Sequence, residues 1–208
     1  MPEFVTAGAP LAEAAVALVL VHGRGATAES ILSLGEAIAD GARVAFVAPQ
    51  ATGGTWYPNS FLAPLADNEP FLGAAIRTVV AAVEAARDAG VGRIVLGGFS
   101  QGACLALEVA ARHGPALGLA AAFGLSGGLI GTSDAPGGGK AFDYAARLDG
   151  LPVFAGVAPD DPHIPLSRFE ESAAVFERLG AAADFRVYPG LGHAVNAAEV
   201  AAVRALLA

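Results

Sequence analysis

Short uninterrupted apolar runs alternate with helical patterns along the whole chain, and this alternation constrains the fold more than any other feature. Six such runs are bounded mainly by glycine or proline: residues 14–21, 43–48, 93–99, 120–125, 152–157 and 184–188. Runs without polar alternation predict strands that are buried on both faces, as in a parallel sheet.

The segments between these runs carry helix start signals. Thr27 can cap a helix over residues 28–40, with Gly41 beyond its end. Two residue pairs match the capping-box pattern: Ser167 with Glu170, and Asn196 with Glu199. Strand and helix alternate throughout, which predicts a single α/β domain over residues 1–208, with a mostly parallel central sheet and helices on both faces.

Composition limits the function classes. The 208 residues carry 20 acidic and 12 basic side chains, and a chain with a net charge of −8 is not expected to bind nucleic acid. Mean hydropathy is +0.54, yet no apolar run approaches the roughly 18–20 residues of a membrane-spanning helix. Cys104 is the only cysteine, which excludes a disulfide framework and a cysteine-based zinc site. Residues 1–3 supply no basic region of a signal peptide, so a cytoplasmic protein is expected.

Two segments interrupt the alternation of strands and helices. Residues 50–72 hold four aromatic side chains among glycines and prolines: Trp56, Tyr57, Phe61 and Phe71. Residues 127–150 are rich in glycine and proline, which predicts a mobile surface excursion. Loops of this length are usually functional or disordered. Whether either segment closes over an active site stays open.

The pattern Gly-x-Ser-x-Gly occurs twice, around Ser100 and around Ser126. In a nucleophile elbow the serine lies between a strand and a helix, so that the helix N-terminus places backbone N–H groups beside the developing negative charge. Ser100 follows the strand predicted at 93–99 and precedes a strong helix pattern at 101–112. Ser126 also follows a strand, but the glycines behind it prevent a helix. Ser100 is therefore the predicted nucleophile, and Ser126 is predicted to lie in a glycine-rich turn.

A serine nucleophile needs a base, and the base needs an orienting group. His193 lies directly after the last predicted strand, where its side chain can reach the carboxyl edge of the sheet. Structural or rim positions are expected for the other three histidines: His22, His113 and His163. For the acid, Asp160 and Asp161 both follow the strand at 152–157, and their spacing leaves the choice open. The order serine, aspartate, histidine is that of the α/β-hydrolases.

A turn after the first predicted strand supplies the remaining element. Residues 22–25 read His-Gly-Arg-Gly, and such a turn can direct the backbone N–H of Arg24 into the site. Together with the N–H of Gln101, it would form an oxyanion hole with two donors. Loss of one such donor typically costs about 10²–10³ in turnover. This chemistry requires no metal or cofactor.

These motifs together resemble the small, cap-less phospholipase/carboxylesterase family of α/β-hydrolases, which are relatives of acyl-protein thioesterases. The matching segments span nearly the whole chain in order: 22–25, 49–50 with Trp56 downstream, 98–103, 161–165 and 190–193. The resemblance implies an α/β-hydrolase fold with no cap domain, and it favours Asp161 over Asp160 as the acid. Two departures from the family pattern favour a branch of small bacterial esterases over protein depalmitoylation: Ala26 in place of Asp, and Tyr57-Pro58 after Trp56.

The combined prediction is a serine carboxylesterase that cleaves small carboxylic esters of short-to-medium acyl chain through an acyl-enzyme on Ser100. Three aromatic residues are predicted to line its substrate pocket: Trp56, Tyr57 and Phe61. Cys104 is predicted to be a core residue, and the Arg24 side chain either meets an anionic substrate group or lies in solvent. A lysophospholipase or acyl-thioesterase with the same triad is the alternative, and a non-catalytic ligand-binding protein is a further one. The expected partner is a small ester, without stable membrane insertion, and homo-oligomerisation is left open.

Overall fold

The computed structural model describes residues 4–134 and 139–208, whose strands form a seven-stranded sheet. The strands are β1 (Phe4–Gly8), β2 (Val16–Val21), β3 (Val44–Pro49), β4 (Arg93–Phe99), β5 (Ala121–Leu125), β6 (Pro152–Val157) and β7 (Ala182–Val187). Their order in the sheet is β1-β3-β2-β4-β5-β6-β7. Every neighbouring pair is parallel except β1 with β3, so the predicted mostly parallel sheet is confirmed.

Helices cover both faces of the sheet. On one side lie α1 (Ala28–Ala39) and α6 (Ala197–Ala205), and on the other α3 (Phe71–Asp88), α4 (Gln101–Leu117) and α5 (Leu166–Arg178), with the single-turn α2 (Leu65–Asn68) preceding α3. Because side chains alternate along a strand, Leu18 and Leu20 of β2 pack on the α1 side, and Val19 and Val21 pack on the α4 side. None of the helices within the described ranges has the length and apolar character needed to cross a lipid bilayer.

The central strands are buried on both faces, but the edge strands are not. Every residue of β3 and β5 is buried, as expected of parallel strands without polar alternation. β7 lies at one edge and alternates between exposed and half-buried residues, so the prediction of burial on both faces is wrong for this strand. The sequence pattern missed β1, a short edge strand that pairs antiparallel with β3.

Two of the three predicted helix caps are confirmed. Thr27 and Asn196 each accept a hydrogen bond from the backbone N–H three residues later, and the side chain there binds back to the cap residue's N–H. Ser167 is not an N-cap, because α5 already begins one residue before it and follows Pro165. The Pro165 carbonyl accepts a hydrogen bond from the N–H of Arg168, so the chain turns into the helix upstream of Ser167. The predicted Ser167 cap is therefore wrong.

The start of the predicted surface excursion at 127–150 lies inside the protein. Leu129 and Ile130 are fully buried, and the N–H of Gly131 donates to the carbonyl oxygen of Phe61 at 2.6 Å. Residues 127–132 are all buried, so the prediction of a surface path is wrong for them. Residues 135–138 of the same segment lie outside the described residues.

Candidate active site

Ser100 occupies a sharp turn between β4 and α4. Its backbone has φ 57° and ψ −121°, a conformation that persists in a non-glycine residue only where the surrounding structure maintains it. The flanking glycines permit the turn: a Cβ atom on Gly98 would overlap the carbonyl oxygen of Val21, and one on Gly102 would overlap those of Val21 and His22. The turn therefore packs directly against the end of β2, at the carboxyl edge of the sheet.

The side chains of Ser100, His193 and Asp161 form a continuous chain of hydrogen bonds. The Nε2 atom of His193 lies 2.9 Å from the Ser100 Oγ, and its Nδ1 atom lies 2.8 Å from the Asp161 Oδ2. The three residues follow β4, β7 and β6 respectively, whose parallel arrangement places their carboxyl ends at one edge. The Phe99 ring packs against the imidazole with centroids 5.0 Å apart. Such an arrangement can supply a nucleophile, a base and an orienting acid.

Of the two aspartates that spacing left open, Asp161 is the one that contacts His193. Its Oδ1 accepts hydrogen bonds from the backbone N–H groups of His163 (2.8 Å) and Ile164 (3.1 Å), whereas Asp160 is exposed. Burial raises the pKa of the Asp161 carboxyl, but the hydrogen bonds from His193 and the two amides outweigh it, and the pKa is below its ordinary value of 3.8. An ionised carboxylate only accepts, so Nδ1 of the imidazole donates and Nε2 is left to take a proton.

The turn at residues 22–25 lies beside the nucleophile elbow. A Cβ atom on Gly23 would lie 3.4 Å from the Cβ of Ser100. Within the described residues, neither the Arg24 nor the Gln101 backbone N–H donates to a protein acceptor. Gln101 is the first residue of α4, where the positive end of the helix dipole favours negative charge. Both amides are therefore available to an oxyanion.

A cavity of about 690 Å³ opens over these groups. Its wall includes two of the three aromatic residues predicted to line a pocket, Tyr57 and Phe61. Further apolar side chains complete the wall: Ile31, Phe99, Cys104 and Ile164. Arg24 carries the only permanent charge among the described residues that line the cavity. A mainly apolar cavity with a few convergent polar groups is typical of sites for small organic molecules.

Trp56 does not line this cavity, so the prediction that it lines the substrate pocket is wrong. Its contacts are structural. Its indole N–H donates to the carbonyl oxygen of His22 at 2.8 Å, and the two rings pack with centroids 4.9 Å apart. His22 is fully buried, and its Nε2 accepts from the N–H of Ala51 at 3.2 Å. Burial lowers the pKa of His22, which keeps the ring neutral and able to accept. The structural position expected for His22 is thus observed.

Two side-chain contacts at the site have no counterpart in the sequence-based predictions. The Arg24 guanidinium is exposed but donates to backbone carbonyl oxygens of residues 57–59. The Gln101 carboxamide bonds to the backbone of Trp56 and Tyr57. The partners in these contacts are backbone groups, which nearly every residue carries. No residue pattern distinguishes them, so the sequence held no signal for these contacts.

Cys104 and His163 hold no place in the hydrogen-bonded chain of Ser100, His193 and Asp161. Cys104 is buried, the N–H of Gly128 donates to its Sγ at 3.4 Å, and burial raises the pKa of its thiol to about 11. His163 lies at the cavity rim, with its ring edge-on to His193 at 4.7 Å between centroids. Among residues 4–134 and 139–208, no group of three or more His, Cys, Asp and Glu side chains is arranged to hold a metal ion.

The sequence is related to a known protein family over nearly the whole chain. The sequence model of the phospholipase/carboxylesterase family matches residues 4–208. The chain belongs to this family. A phospholipase/carboxylesterase from Dyadobacter fermentans is 36% identical to it, and that crystal structure aligns with a TM-score of 0.85 over 99% of this chain and 95% of the other.

Other relatives of this phospholipase/carboxylesterase family member are more distant or match over less of its length. The Bacillus cereus carboxylesterase structure aligns with a TM-score of 0.72 at 21% identity, over 99% of this chain and 92% of the other, which shows the shared fold. Acyl-protein thioesterase 1 of Gibberella zeae is 34% identical over 119 residues, or 55% of this chain and 47% of the thioesterase. The chain thus spans about half the length of that curated relative. The predicted family resemblance and the α/β-hydrolase fold are confirmed.

The second Gly-x-Ser-x-Gly motif of this family member is built differently from the first. Ser126 also has a positive φ, 51°, and its N–H donates to the carbonyl oxygen of Gly156 at 2.8 Å. No helix follows it, and its buried Oγ has no hydrogen-bond partner within the described residues. Ser126 is thus a turn at the end of β5, as predicted, and only Ser100 of the two motif serines contacts a histidine.

Proposed function

We propose that this family member is a serine carboxylesterase that hydrolyses small carboxylic esters through an acyl-enzyme on Ser100. The observation that carries the proposal is the hydrogen-bonded chain from Ser100 through His193 to Asp161, with distances of 2.9 and 2.8 Å. Carboxylesterases cleave carboxylic esters, and so do the phospholipases that remove acyl chains, so membership of the family supports the reaction class. The proposed steps use only side chains and backbone amides of the single domain that we propose for residues 1–208.

In the first half of the reaction, the Ser100 Oγ attacks the ester carbonyl carbon while His193 Nε2 takes the hydroxyl proton. The carbonyl oxygen becomes an oxyanion and accepts hydrogen bonds from the backbone N–H groups of Arg24 and Gln101. Asp161 stabilises the imidazolium that forms. Collapse of the tetrahedral intermediate breaks the bond to the alcohol oxygen, which receives the proton from His193 as the alcohol leaves.

The second half of the reaction releases the acid. Water takes the place of the alcohol, and His193 removes one of its protons as the oxygen attacks the acyl carbon. The two amides hold the second oxyanion in the same position. Collapse then breaks the bond to the Ser100 Oγ, which regains its proton from His193, and the carboxylic acid diffuses away. The enzyme returns to its starting state with one water consumed.

The dimensions of the cavity favour esters with short-to-medium acyl chains or small aryl groups. Its volume of about 690 Å³ is within the range of about 300–1,000 Å³ that holds small organic ligands. Tyr57 and Phe61 supply apolar contact on its wall. Within the described residues, no cap domain adds the enclosed volume that would shield a long acyl chain.

A thioester is the second candidate substrate. The Gibberella zeae relative is an acyl-protein thioesterase, and the same nucleophile, base and oxyanion donors would cleave a thioester bond by the same steps. The alcohol oxygen would be replaced by a thiol sulfur, which is a better leaving group and depends less on protonation by His193. A matched pair of oxyester and thioester substrates with one acyl chain separates these two functions.

Covalent labelling tests the enzyme assignment. We expect a fluorophosphonate probe to label the wild-type protein and not Ser100→Ala, because the probe phosphonylates only a serine that a base activates. A panel of p-nitrophenyl esters of increasing acyl length, with matched thioesters, then ranks the substrates. Absence of labelling in the folded wild type would overturn the hydrolase proposal. Thioester turnover far above that of the matched oxyester would replace the carboxylesterase with a thioesterase.

A further inference from the structure

The segment from Gly54 to Asn59 contributes to the wall of the active-site cavity and is bound by Arg24 and Gln101, the two residues whose amides are proposed to hold the oxyanion. Tyr57, Pro58 and Asn59 of this segment line the cavity together with Ser100. None of the three carries a group needed for the proposed chemistry. Their contribution is the shape of the wall, so the contacts that fix the segment also fix that shape.

Arg24 holds the segment through its guanidinium. Its Nη1 donates to the carbonyl oxygen of Pro58 at 3.0 Å, and its Nη2 donates to those of Tyr57 (3.0 Å) and Asn59 (2.8 Å). Three carbonyl oxygens of consecutive residues converge on one cation. A planar guanidinium can satisfy them together, whereas an ammonium group cannot present the same fork. Arg24 is exposed, so water could satisfy its guanidinium. These bonds are therefore not needed to compensate for burial of the charge.

Gln101, the first residue of α4, also holds this segment through its side chain. Its Oε1 accepts from the N–H of Trp56 at 3.1 Å, and its Nε2 donates to the carbonyl oxygen of Tyr57 at 2.8 Å. The residue is 7% exposed, and a buried carboxamide bonded at both ends has a single orientation. The Tyr57 carbonyl oxygen is therefore shared by Arg24 and Gln101.

Two further hydrogen bonds connect the segment to residues 22–25, the turn proposed to hold the oxyanion. The N–H of Gly25 donates to the carbonyl oxygen of Gly54 at 2.7 Å. The indole of Trp56 donates to the carbonyl oxygen of His22 at 2.8 Å. The turn that presents the Arg24 amide is thus bonded to the segment on both sides of Arg24, in addition to the bonds of the Arg24 side chain itself.

We infer that Arg24 and Gln101 are positioning residues whose side chains join the cavity wall at residues 54–59 to the two oxyanion amides as one rigid unit. This inference rests on the proposed function, since it assigns the wall a part in ester selection. The two residues serve the reaction twice, with a backbone N–H at the oxyanion and a side chain that sets the wall. Displacement of the segment shifts the amides as well, so acyl selectivity and turnover change together.

The test uses Arg24→Met and Gln101→Met, which keep both backbone amides and remove the side-chain hydrogen bonds. We expect kcat on the shortest ester to fall at least about tenfold in each, because small misplacement of catalytic groups costs up to about 10²-fold. We also expect KM for longer acyl chains to change more than KM for the shortest one. The double variant should lose less than the product of the two single losses, since both side chains hold one segment.

Two further variants complete the design. Arg24→Lys keeps the charge without the fork and is expected to recover only part of the kcat lost in Arg24→Met. Arg43→Met is the matched control, because Arg43 is an exposed arginine whose ion-pair partner is Glu13 and which does not line the active-site cavity. Its kcat is expected to equal that of wild type. Thermal unfolding of each variant identifies those that are folded at the assay temperature. If Arg24→Met is not folded at that temperature, the kcat of Arg24→Lys is compared with that of wild type instead.

The outcomes separate this inference from the proposed function. Both the proposed function and this inference are supported if the fluorophosphonate labels the wild-type protein, the wild type hydrolyses esters, and kcat falls in the Arg24 and Gln101 variants as described above. Labelled and active wild type, with kcat and acyl selectivity unchanged in the folded Arg24 variants, overturns the positioning role and leaves the esterase intact. Full recovery of kcat in Arg24→Lys overturns it as well, because the forked guanidinium bonds to residues 57–59 would then not be needed. Wild type that is folded but neither labelled nor active contradicts the proposed function itself.

Discussion

The Ser100 Oγ lies 2.9 Å from the Nε2 of His193, although the two residues are 93 positions apart in the chain. The contact exists because β4 and β7 end at the same edge of the sheet, and because the turn at Ser100 holds a backbone conformation with φ 57°. Ser126 has a comparable φ, 51°, and no histidine partner. A strained serine turn is therefore not sufficient for a nucleophile.

The two motif serines are expected to respond oppositely to alanine. Ser100→Ala should reduce kcat by about 10⁴-fold or more, because the nucleophile is lost. Ser126→Ala should keep kcat within about threefold of wild type and leave the free energy of unfolding unchanged or raised, because it removes a buried hydroxyl without a partner. Ester turnover and urea unfolding of both variants measure this. Loss of turnover in Ser126→Ala alone would show that the elbow is misassigned.

The two adjacent aspartates provide a matched pair for the acid. Asp161→Asn removes the carboxylate bonded to His193 Nδ1 at 2.8 Å and is expected to lower kcat by about 10⁴-fold, as the imidazole loses its orientation and charge partner. Asp160→Asn, at an exposed position one residue away, should remain within about threefold. Steady-state kinetics on one short ester compares them. Equal losses in the two variants would contradict the assignment of Asp161.

The buried pair Glu108 and Lys140 is expected to contribute strongly to stability. Glu108 on α4 is fully buried, and Lys140 Nζ lies 2.6 and 2.8 Å from its two carboxylate oxygens. Burial lowers the pKa of Lys140 to about 8, with the Glu108 charge opposing the shift. At pH 6, Glu108→Leu leaves a buried ammonium without its counter-charge, so we expect a loss of about 3–5 kcal/mol in the free energy of unfolding.

The exposed pair of Arg43 and Glu13 is the control for this measurement. Their side chains are 72% and 60% exposed at an N–O distance of 2.8 Å, and exposed pairs contribute about 0–1 kcal/mol. Urea unfolding of Glu13→Leu should therefore show a change of less than about 1 kcal/mol. A loss in Glu108→Leu no larger than that in Glu13→Leu would mean that the buried pair does not stabilise the native state.

The contribution of Glu199 to the free energy of unfolding is expected to depend on pH. Burial raises the pKa of this carboxyl above its ordinary value of 4.5, against a smaller opposing effect of the hydrogen bond from Asn196, and its Oε1 has no partner among the described residues. The native state therefore retains the proton at pH values where the unfolded chain has lost it, so the contribution to stability is largest at low pH. It is lost as the pH rises from about 4.5 through the folded-state pKa.

Glu199→Gln removes this titration. We expect the Tm of Glu199→Gln minus that of wild type to increase from pH 4 to pH 8, as wild type alone loses stability to ionisation of the buried carboxyl. The exposed Glu177 on α5 supplies the comparison, and Glu177→Gln should follow wild type across the same range. A Tm difference for Glu199→Gln that stays constant with pH would show that the carboxyl ionises equally in both states.

Local signals predicted those parts of the site that depend on a few neighbouring residues. Thr27 and Asn196 are observed as helix caps because a cap requires only the residues of one helical turn. The elbow at Ser100 was predicted because Gly98 and Gly102 lie within two residues of it, where only the absence of a Cβ permits contact with β2. Ser167 shows the limit of such patterns, since an upstream proline moved the helix start.

The sequence by itself predicted the alternation of helices with strands β2 to β7, the turn at Ser100 and the chain order of the proposed nucleophile, acid and base, because periodicity, turn glycines and spacing act over short stretches. Only the tertiary structure decided that Asp161 meets His193 across 32 residues, that Trp56 packs on His22 away from the cavity, and that the Arg24 side chain binds backbone 33 to 35 residues away. Those contacts depend on which strands end side by side and on backbone acceptors common to every residue. A residue pattern cannot encode either of them.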